Sequence, residues 1–263
     1  ITDHATVTGN ITAKALTVSG ITASDKTYDG NAVATLNTGS ILYSGLINGD
    51  TFSGTYTGAF NNANAGTGKT VTITPSYTGA DVSNYSVTDH STITADVAVK
   101  ALTATASASN KTYDGTTTAT TTLTFTGLIG SETLGQTVGS TFDNKNVGTG
   151  KTVTVNSITL ANGSNGGLAA NYSISPGQTT TANVTAKALT VSGITASNKT
   201  YDASTFATLD VLSISYNGLI AGDVFNGTYT GAFSDKNVGT GKTVTITPCY
   251  TGADVGNYSI TDH

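Results

Sequence analysis

"SNKTYDG" at residues 109–115 has a close copy, "SDKTYDG", at 24–30 and a third, "SNKTYDA", at 197–203. A catalytic motif normally occurs once per active site, whereas a structural corner occurs once per module. The surrounding blocks repeat with it: "KALT" begins at 14, 100 and 187, "GTGKTVT" at 66, 148 and 239, and "NYS" at 84, 171 and 257. Their order never changes, and self-similarity at a fixed period is the mark of tandem modules. Residues 66–90 and 239–263 differ only at Ser76/Cys249, Ser83/Gly256 and Val87/Ile260. The middle copy is the variant, with "NSITLANGSNGGLAANYSIS" in place of a shorter loop.

This phase sets the boundaries. Residues 1–13 read as the closing strand of an upstream repeat. Module one is 14–99, module two 100–186, and module three 187–263, which lacks its own equivalent of "STITADVAV" at 91–99. The chain opens and closes on "ITDH", so an array continuing in both directions is expected.

Strands follow from period-2 alternation. "ALTVSGI" presents Leu16, Val18 and Ile21 against Thr and Ser, and "TVTIT" places Val71 and Ile73 opposite Thr70, Thr72 and Thr74. Thr, Val, Ile and Tyr suit a pleated, half-buried surface, and 31 Gly with many Asn supply turns. No helical period appears. The expectation is an all-β chain of three small β-sandwich or β-grasp-like modules, each burying its own core. The junctions "ADVAVKALT" and "ANVTAKALT" hold no linker, which predicts an elongated, end-to-end rod and a monomer.

The repeated side chains define the candidate site: Lys26, Tyr28 and Asp29; Lys111, Tyr113 and Asp114; Lys199, Tyr201 and Asp202. The expected role is a corner, with the Tyr ring in the core, Asp capping a turn, and Gly30 or Gly115 left-handed. Ala203 at the third position weakens the left-handed reading. A minority reading is an internal isopeptide crosslink, since Lys26/111/199, Lys69/151/242, Asp29/114/202 and Asn84/171/257 recur in every repeat. In Gly-Leu-Ile-x-Gly-Asp at 45–50 and 218–223, the Asp is expected to bond nearby backbone.

Other motifs carry less. "GTGKT" lacks the Walker spacing and runs on as a strand, so its Gly pair predicts a hairpin turn and no nucleotide. His4, His90 and His263 share one repeat position, too few for a metal centre and better read as a solvated turn. No EF-hand or calcium nonapeptide is present, so no metal or cofactor is expected. Cys249 replaces a Ser and has no disulfide partner. Glu132 is the one Glu, and no nucleophile–base pair stands out, so an enzyme is not expected. The net charge is −5 and all eleven basic residues are scattered Lys, which argues against nucleic acid as a partner. No apolar run is long enough to span a bilayer.

The ordered blocks "KALT…NKTYDG…GLIG…FDNKNVGTGKTVTV…NYSI" resemble the YDG-type repeat of large bacterial surface adhesins, including filamentous-haemagglutinin-like exoproteins. The resemblance covers essentially the whole chain. It implies an extracellular or cell-surface stalk presenting a distal adhesive domain to a host or biofilm surface, with adjacent repeats as its immediate partners. The alternative is a set of low-affinity carbohydrate- or protein-binding modules acting through avidity, with Tyr56/Tyr77 and Tyr229/Tyr250 as the exposed aromatic candidates.

Overall fold

The computed structural model describes residues 5–262. The chain is all-β. Among the described residues there is no α-helix, and three short 3-10 turns, Val82–Asn84, Ala169–Asn171 and Val255–Asn257, occupy one repeat position. Two compact units form. One contains Ile1–Thr103, Phe125–Gly135 and Leu160–Ile174; the other contains Ala104–Thr124, Gln136–Thr159 and Ser175–His263. Each unit therefore combines residues from two successive repeats.

In the first unit, Lys14–Ser19 is the centre of a three-stranded sheet, antiparallel to Leu42–Ser44 and parallel to Tyr85–Thr88. Its alternation buries Leu16 and Val18 as the sequence predicts. A five-stranded sheet follows in the order Lys26–Thr27, Thr92–Ala98, Gly66–Thr78, Ser53–Phe60, Val33–Ala34. Val71 and Ile73 point into the core from its long central strand, while the intervening Thr residues face out. Thr92–Ala98 closes this sheet. It runs antiparallel to the long strand and parallel to Lys26–Thr27, burying Ala95 and Val97.

The Gly pair of "GTGKT" makes a bulge inside that long strand, not the expected hairpin turn. Gly68 takes φ +57° and the register shifts between Ala95 and Val97. The extra residue leaves a main-chain N–H outside the ladder, and Gly68 N donates it to Asp96 Oδ1 at 2.6 Å. Gly150 (φ +59°) repeats the device with Asn183 Oδ1 at 2.7 Å.

The second repeat supplies the same five-stranded order: Lys111–Thr112, Thr179–Thr185, Gly148–Asn162, Leu134–Phe142, Thr118–Ala119. The third repeat supplies a three-stranded sheet centred on Lys187–Ser192. Besides the small pair Thr195–Ala196 with Leu209–Asp210, it has a sheet of Phe206–Ala207, Asn226–Phe233 and Val244–Thr251. Lys199–Thr200 and 239–243 take no strand conformation, and neither do residues 5–13.

The cores depart from the expectation that each module buries its own. Tyr28, Phe60, Val71 and Val97 of the first repeat share one cluster with Leu102 and Tyr172 of the second. Tyr113, Phe142, Val153 and Val184 of the second share another with Leu189, Phe225 and Tyr258 of the third. A module of under 90 residues with few large apolar side chains covers one face of its five-stranded sheet only by borrowing from the next repeat.

Candidate functional site at the repeat junctions

The Lys-Thr-Tyr-Asp corner forms in all three repeats. Lys26 Nζ donates to Asp29 Oδ1 at 2.8 Å and to the carbonyl of Asn31 at 2.8 Å. Lys111 bonds Asp114 at 2.7 Å and the Thr116 carbonyl at 2.8 Å. Lys199 bonds Asp202 at 2.8 Å and the Ser204 carbonyl at 2.9 Å. Each Asp also caps the turn, accepting the main-chain N–H of Asn31, Thr116 or Ser204. The ammonium lies 5.5–5.7 Å from the Phe60, Phe142 or Phe233 ring centroid. The Lys199 ammonium and the Ser204 N–H hold the Asp202 carboxyl down at about 2. At Asp29 and Asp114 burial pushes the other way, but the Lys and turn hydrogen bonds outweigh it and the pKa falls.

Gly30 and Gly115 take φ +80° and +77°, and Ala203 takes φ +62°. The left-handed turn therefore persists without Gly, contrary to the doubt raised by Ala203. The first two positions have a second reason to be Gly. A Cβ on Gly30 would meet Ile129 Cγ2 at 2.7 Å, and one on Gly115 would meet Ile220 Cγ2 at 3.1 Å. Both Ile residues belong to the following repeat.

The tyrosines show where the corner points. Tyr28 and Tyr113 are buried, at 4% and 1% exposure, whereas Tyr201 is 57% exposed. The core position expected for Tyr201 is thus corrected. Its own repeat builds the same corner, but the residues that cover the ring come from the following repeat. Tyr28 Oη donates to Glu132 Oε1 at 2.6 Å, and Tyr172 donates to the other oxygen at 2.7 Å. The two rings meet edge to face, with centroids 5.4 Å apart. Tyr113 Oη reaches both Asp223 oxygens at 3.0 and 2.9 Å, Tyr258 donates to the same carboxylate, and those rings lie 5.6 Å apart. Tyr172 and Tyr258 hydroxyls also accept the N–H of Ile129 and Ile220, each at 3.0 Å, which fixes the Gly-Leu-Ile turn.

Asp223 and Glu132 are the site residues that sequence reasoning missed. The Asp of the Gly-Leu-Ile turn was expected to bond nearby backbone; instead Asp223 is the acceptor for two tyrosines. The signal was present, since Asp50, Glu132 and Asp223 give every repeat a carboxylate at one position. Asn171 and Asn257 complete the junctions. Asn171 Oδ1 accepts the Ala65 N–H at 2.9 Å and Asn257 Oδ1 accepts that of Val147 at 2.9 Å. Their amides donate to Asn64 and Asn146.

The two junctions differ in charge. In the second, Lys145 bridges Asp223 at 3.0 Å and Asp254 at 2.9 Å, close to the Tyr113 ring. In the first, those positions are Ala63, Glu132 and Leu168. Burial and the neighbouring carboxylate push the Tyr28 and Tyr258 hydroxyls up to about 12. The Asp254, Tyr113 and Asp223 contacts raise the Lys145 pKa. Burial works against the Asp223 charge, but hydrogen bonds from Tyr258, Lys145 and Tyr113 win, and its pKa is lowered.

The remaining candidates fall apart as sites. Lys69 and Lys151 bond Asn62 and Asn144, and Lys242 bonds Asp235. The crosslink candidates Asn171 and Asn257 instead hold main-chain N–H groups, and each corner Lys pairs with its own Asp. Tyr56 and Tyr77 pack on one another, and Tyr77 donates to Asp89 at 2.6 Å; Tyr229 and Tyr250 pack likewise. Among the described residues no group of three His, Cys, Asp or Glu is placed to hold a metal ion. His90 is exposed, and His4 and His263 lie outside the described residues. Cys249 is exposed and free. Among the described residues no helix is long and apolar enough to cross a membrane.

An all-β chain whose successive repeats share cores and interlock through tyrosine–carboxylate contacts is a tandem-repeat domain protein. The YDG domain model matches residues 12–95, 98–182 and 185–263, and the chain belongs to that family. No curated protein and no solved structure matches it.

Proposed function

We propose that these repeats are the structural spacer of a bacterial cell-surface adhesin, carrying a distal adhesive domain away from the cell. The observation that supports this most directly is the burial of Tyr28 and Tyr113 against the following repeat, on a carboxylate that repeat supplies. Such a junction resists bending and sliding between neighbours, which is what a spacer requires and what a freely jointed set of binding modules does not. The Lys and Asp side chains of all three corners bond one another within the corner. The spacer reading implies an extended chain. A compact domain of 263 residues has a radius of gyration of about 18 Å. Solution scattering of dilute protein is expected to give a value well above that, with a rod-like cross-section. A radius near the compact figure refutes the spacer.

A further inference from the structure

We propose that Tyr43 with Tyr56, and Tyr216 with Tyr229, are modification sites. Under one-electron oxidation each pair couples into a dityrosine crosslink that ties together two sheets of its own repeat. Each pair lies within one repeat, and the proposal does not depend on the spacer reading.

The fold brings two phenols together. Tyr43 lies on Leu42–Ser44 of the three-stranded sheet and Tyr56 on Ser53–Phe60 of the five-stranded one, with hydroxyl oxygens 3.4 Å apart. In the third repeat Tyr216 and Tyr229 make the same contact at 3.2 Å. Glycine leaves room for it. A Cβ on Gly54 would clash with the Tyr56 hydroxyl, and one on Gly227 would clash with the Tyr229 and Tyr216 hydroxyls. The second repeat changes all three positions at once, with Phe125, Gln136 and Val138 in place of Tyr43, Gly54 and Tyr56. There Gln136 bonds the main chain of Leu123, accepting its N–H at 3.1 Å and donating to its carbonyl at 2.7 Å. The hydroxyl pair and its glycine therefore occur in this chain as a unit or not at all.

Three features suit these pairs to oxidation. The chain has no Trp, no Met and one Cys, so tyrosine is the main destination for oxidising equivalents. Tyr56 borders an open cleft of about 450 Å³ with Val33 and Leu36, which admits a small oxidant. Tyr56 also packs edge to face on Tyr77, with centroids 6.0 Å apart, and Tyr77 Oη donates to Asp89 Oδ2 at 2.6 Å. A phenol bonded to a carboxylate passes its proton to that carboxylate as its electron leaves, so Tyr77 oxidises readily and hands the radical to Tyr56. Tyr229, Tyr250 and Asp262 repeat this relay. The pairs Tyr28/Tyr172 and Tyr113/Tyr258 differ, because each holds a carboxylate between its hydroxyls.

The oxidant is a haem peroxidase with hydrogen peroxide. Each phenol of a pair gives up one electron and its hydroxyl proton. The two electrons and two protons reduce one hydrogen peroxide to two waters. The tyrosyl radicals join through the ring carbons next to their hydroxyl-bearing carbons, which the hydroxyl contact brings together. Those two C–H bonds break as the new C–C bond forms, and their protons return to the phenol oxygens. The product has lost two hydrogens. Its crosslink joins residues 13 apart and constrains the unfolded chain as a disulfide does.

The test exposes the full chain, in dilute solution, to a haem peroxidase and hydrogen peroxide. It carries Cys249→Ser and Tyr201→Phe, which remove two exposed groups that would react between molecules. Intact mass should fall by four hydrogens, with the fluorescence of coupled phenols, and should stay that of the sequence without peroxide. Cleavage before aspartate should then find 29–49 joined to 50–80, and 210–222 joined to 223–234. Tyr43→Phe should abolish the first join and Tyr216→Phe the second, each keeping the ring and its packing. Asp89→Asn should slow the first crosslink several-fold relative to the third-repeat crosslink in the same molecule, which keeps Asp262. An unchanged mass overturns the proposal, as do crosslinks that join only other peptides or that survive both Tyr→Phe changes. An unchanged ratio of rates in Asp89→Asn overturns the relay through Tyr77.

Discussion

Tyr113 and Tyr201 occupy one repeat position in one motif, and the structure assigns them very different energies. Tyr113→Phe keeps the ring, its edge-to-face contact with Tyr258 and its burial, and removes a hydroxyl that donates to Asp223. A hydrogen bond to a charged group contributes about 1.5–3 kcal/mol, and here the acceptor's side chain is only 3% exposed. Tyr113→Ala also empties the ring's place in the core, a loss of about 3–5 kcal/mol or somewhat more. Tyr201→Ala removes a ring that is 57% exposed and should fall within about 0.5 kcal/mol of wild type. Because two units are present, a single melting temperature is not a defined quantity. Urea-dependent hydrogen exchange, resolved by segment, is the assay: Tyr113→Ala should lower protection at 111–123 and at 215–225 together. The reasoning fails if Tyr201→Ala costs as much as Tyr113→Ala, because the ring would then serve its own corner and not the junction. It also fails if Tyr113→Ala loosens only 111–123. A double-mutant cycle with Asp223→Asn should show coupling of about 0.5–3 kcal/mol, since the pair shares one hydrogen-bonded network.

Deleting 92–98 should unfold the first repeat, because that strand bonds both neighbours and buries Ala95 and Val97, whereas deleting 1–13 should leave hydrogen-exchange protection at 66–78 unchanged. The tyrosine pKa values raised to about 12 make both junctions alkali-sensitive. Their contribution is complete below the unfolded value near 10 and is lost as pH rises through about 12, so a pH titration of exchange protection should fall in that window, at Tyr28 and Tyr258 first. Asp114→Asn weakens the Lys111 contact and the turn cap and should cost about 0.5–2 kcal/mol by denaturant titration. Intact-mass spectrometry should return the unmodified chain; each isopeptide bond would remove one ammonia, and such a loss would reinstate the crosslink.

Much of this protein was legible without coordinates because the information is local. Alternation in "KALTVS" and "KTVTIT" determines which faces are apolar, and a period-2 pattern needs no knowledge of the rest of the chain. The three-fold repetition was equally plain, and so was the Asp-capped turn, whose donor lies two residues from the Asp. What lay beyond the sequence is whatever depends on a partner far along the chain. Glu132 is 104 residues from Tyr28, and Asp223 is 110 from Tyr113. A repeated carboxylate in a turn looks like turn chemistry until folding brings a hydroxyl to it. The bulge at "GTGKT" was misread for the same reason, since its compensating acceptor, Asp96, sits on another strand. Identical motifs carry identical local instructions, so the sequence by itself determined three equal corners. Only the tertiary structure decided that two are buried and one is open, because burial depends on what the following repeat brings to the ring and not on the motif that presents it.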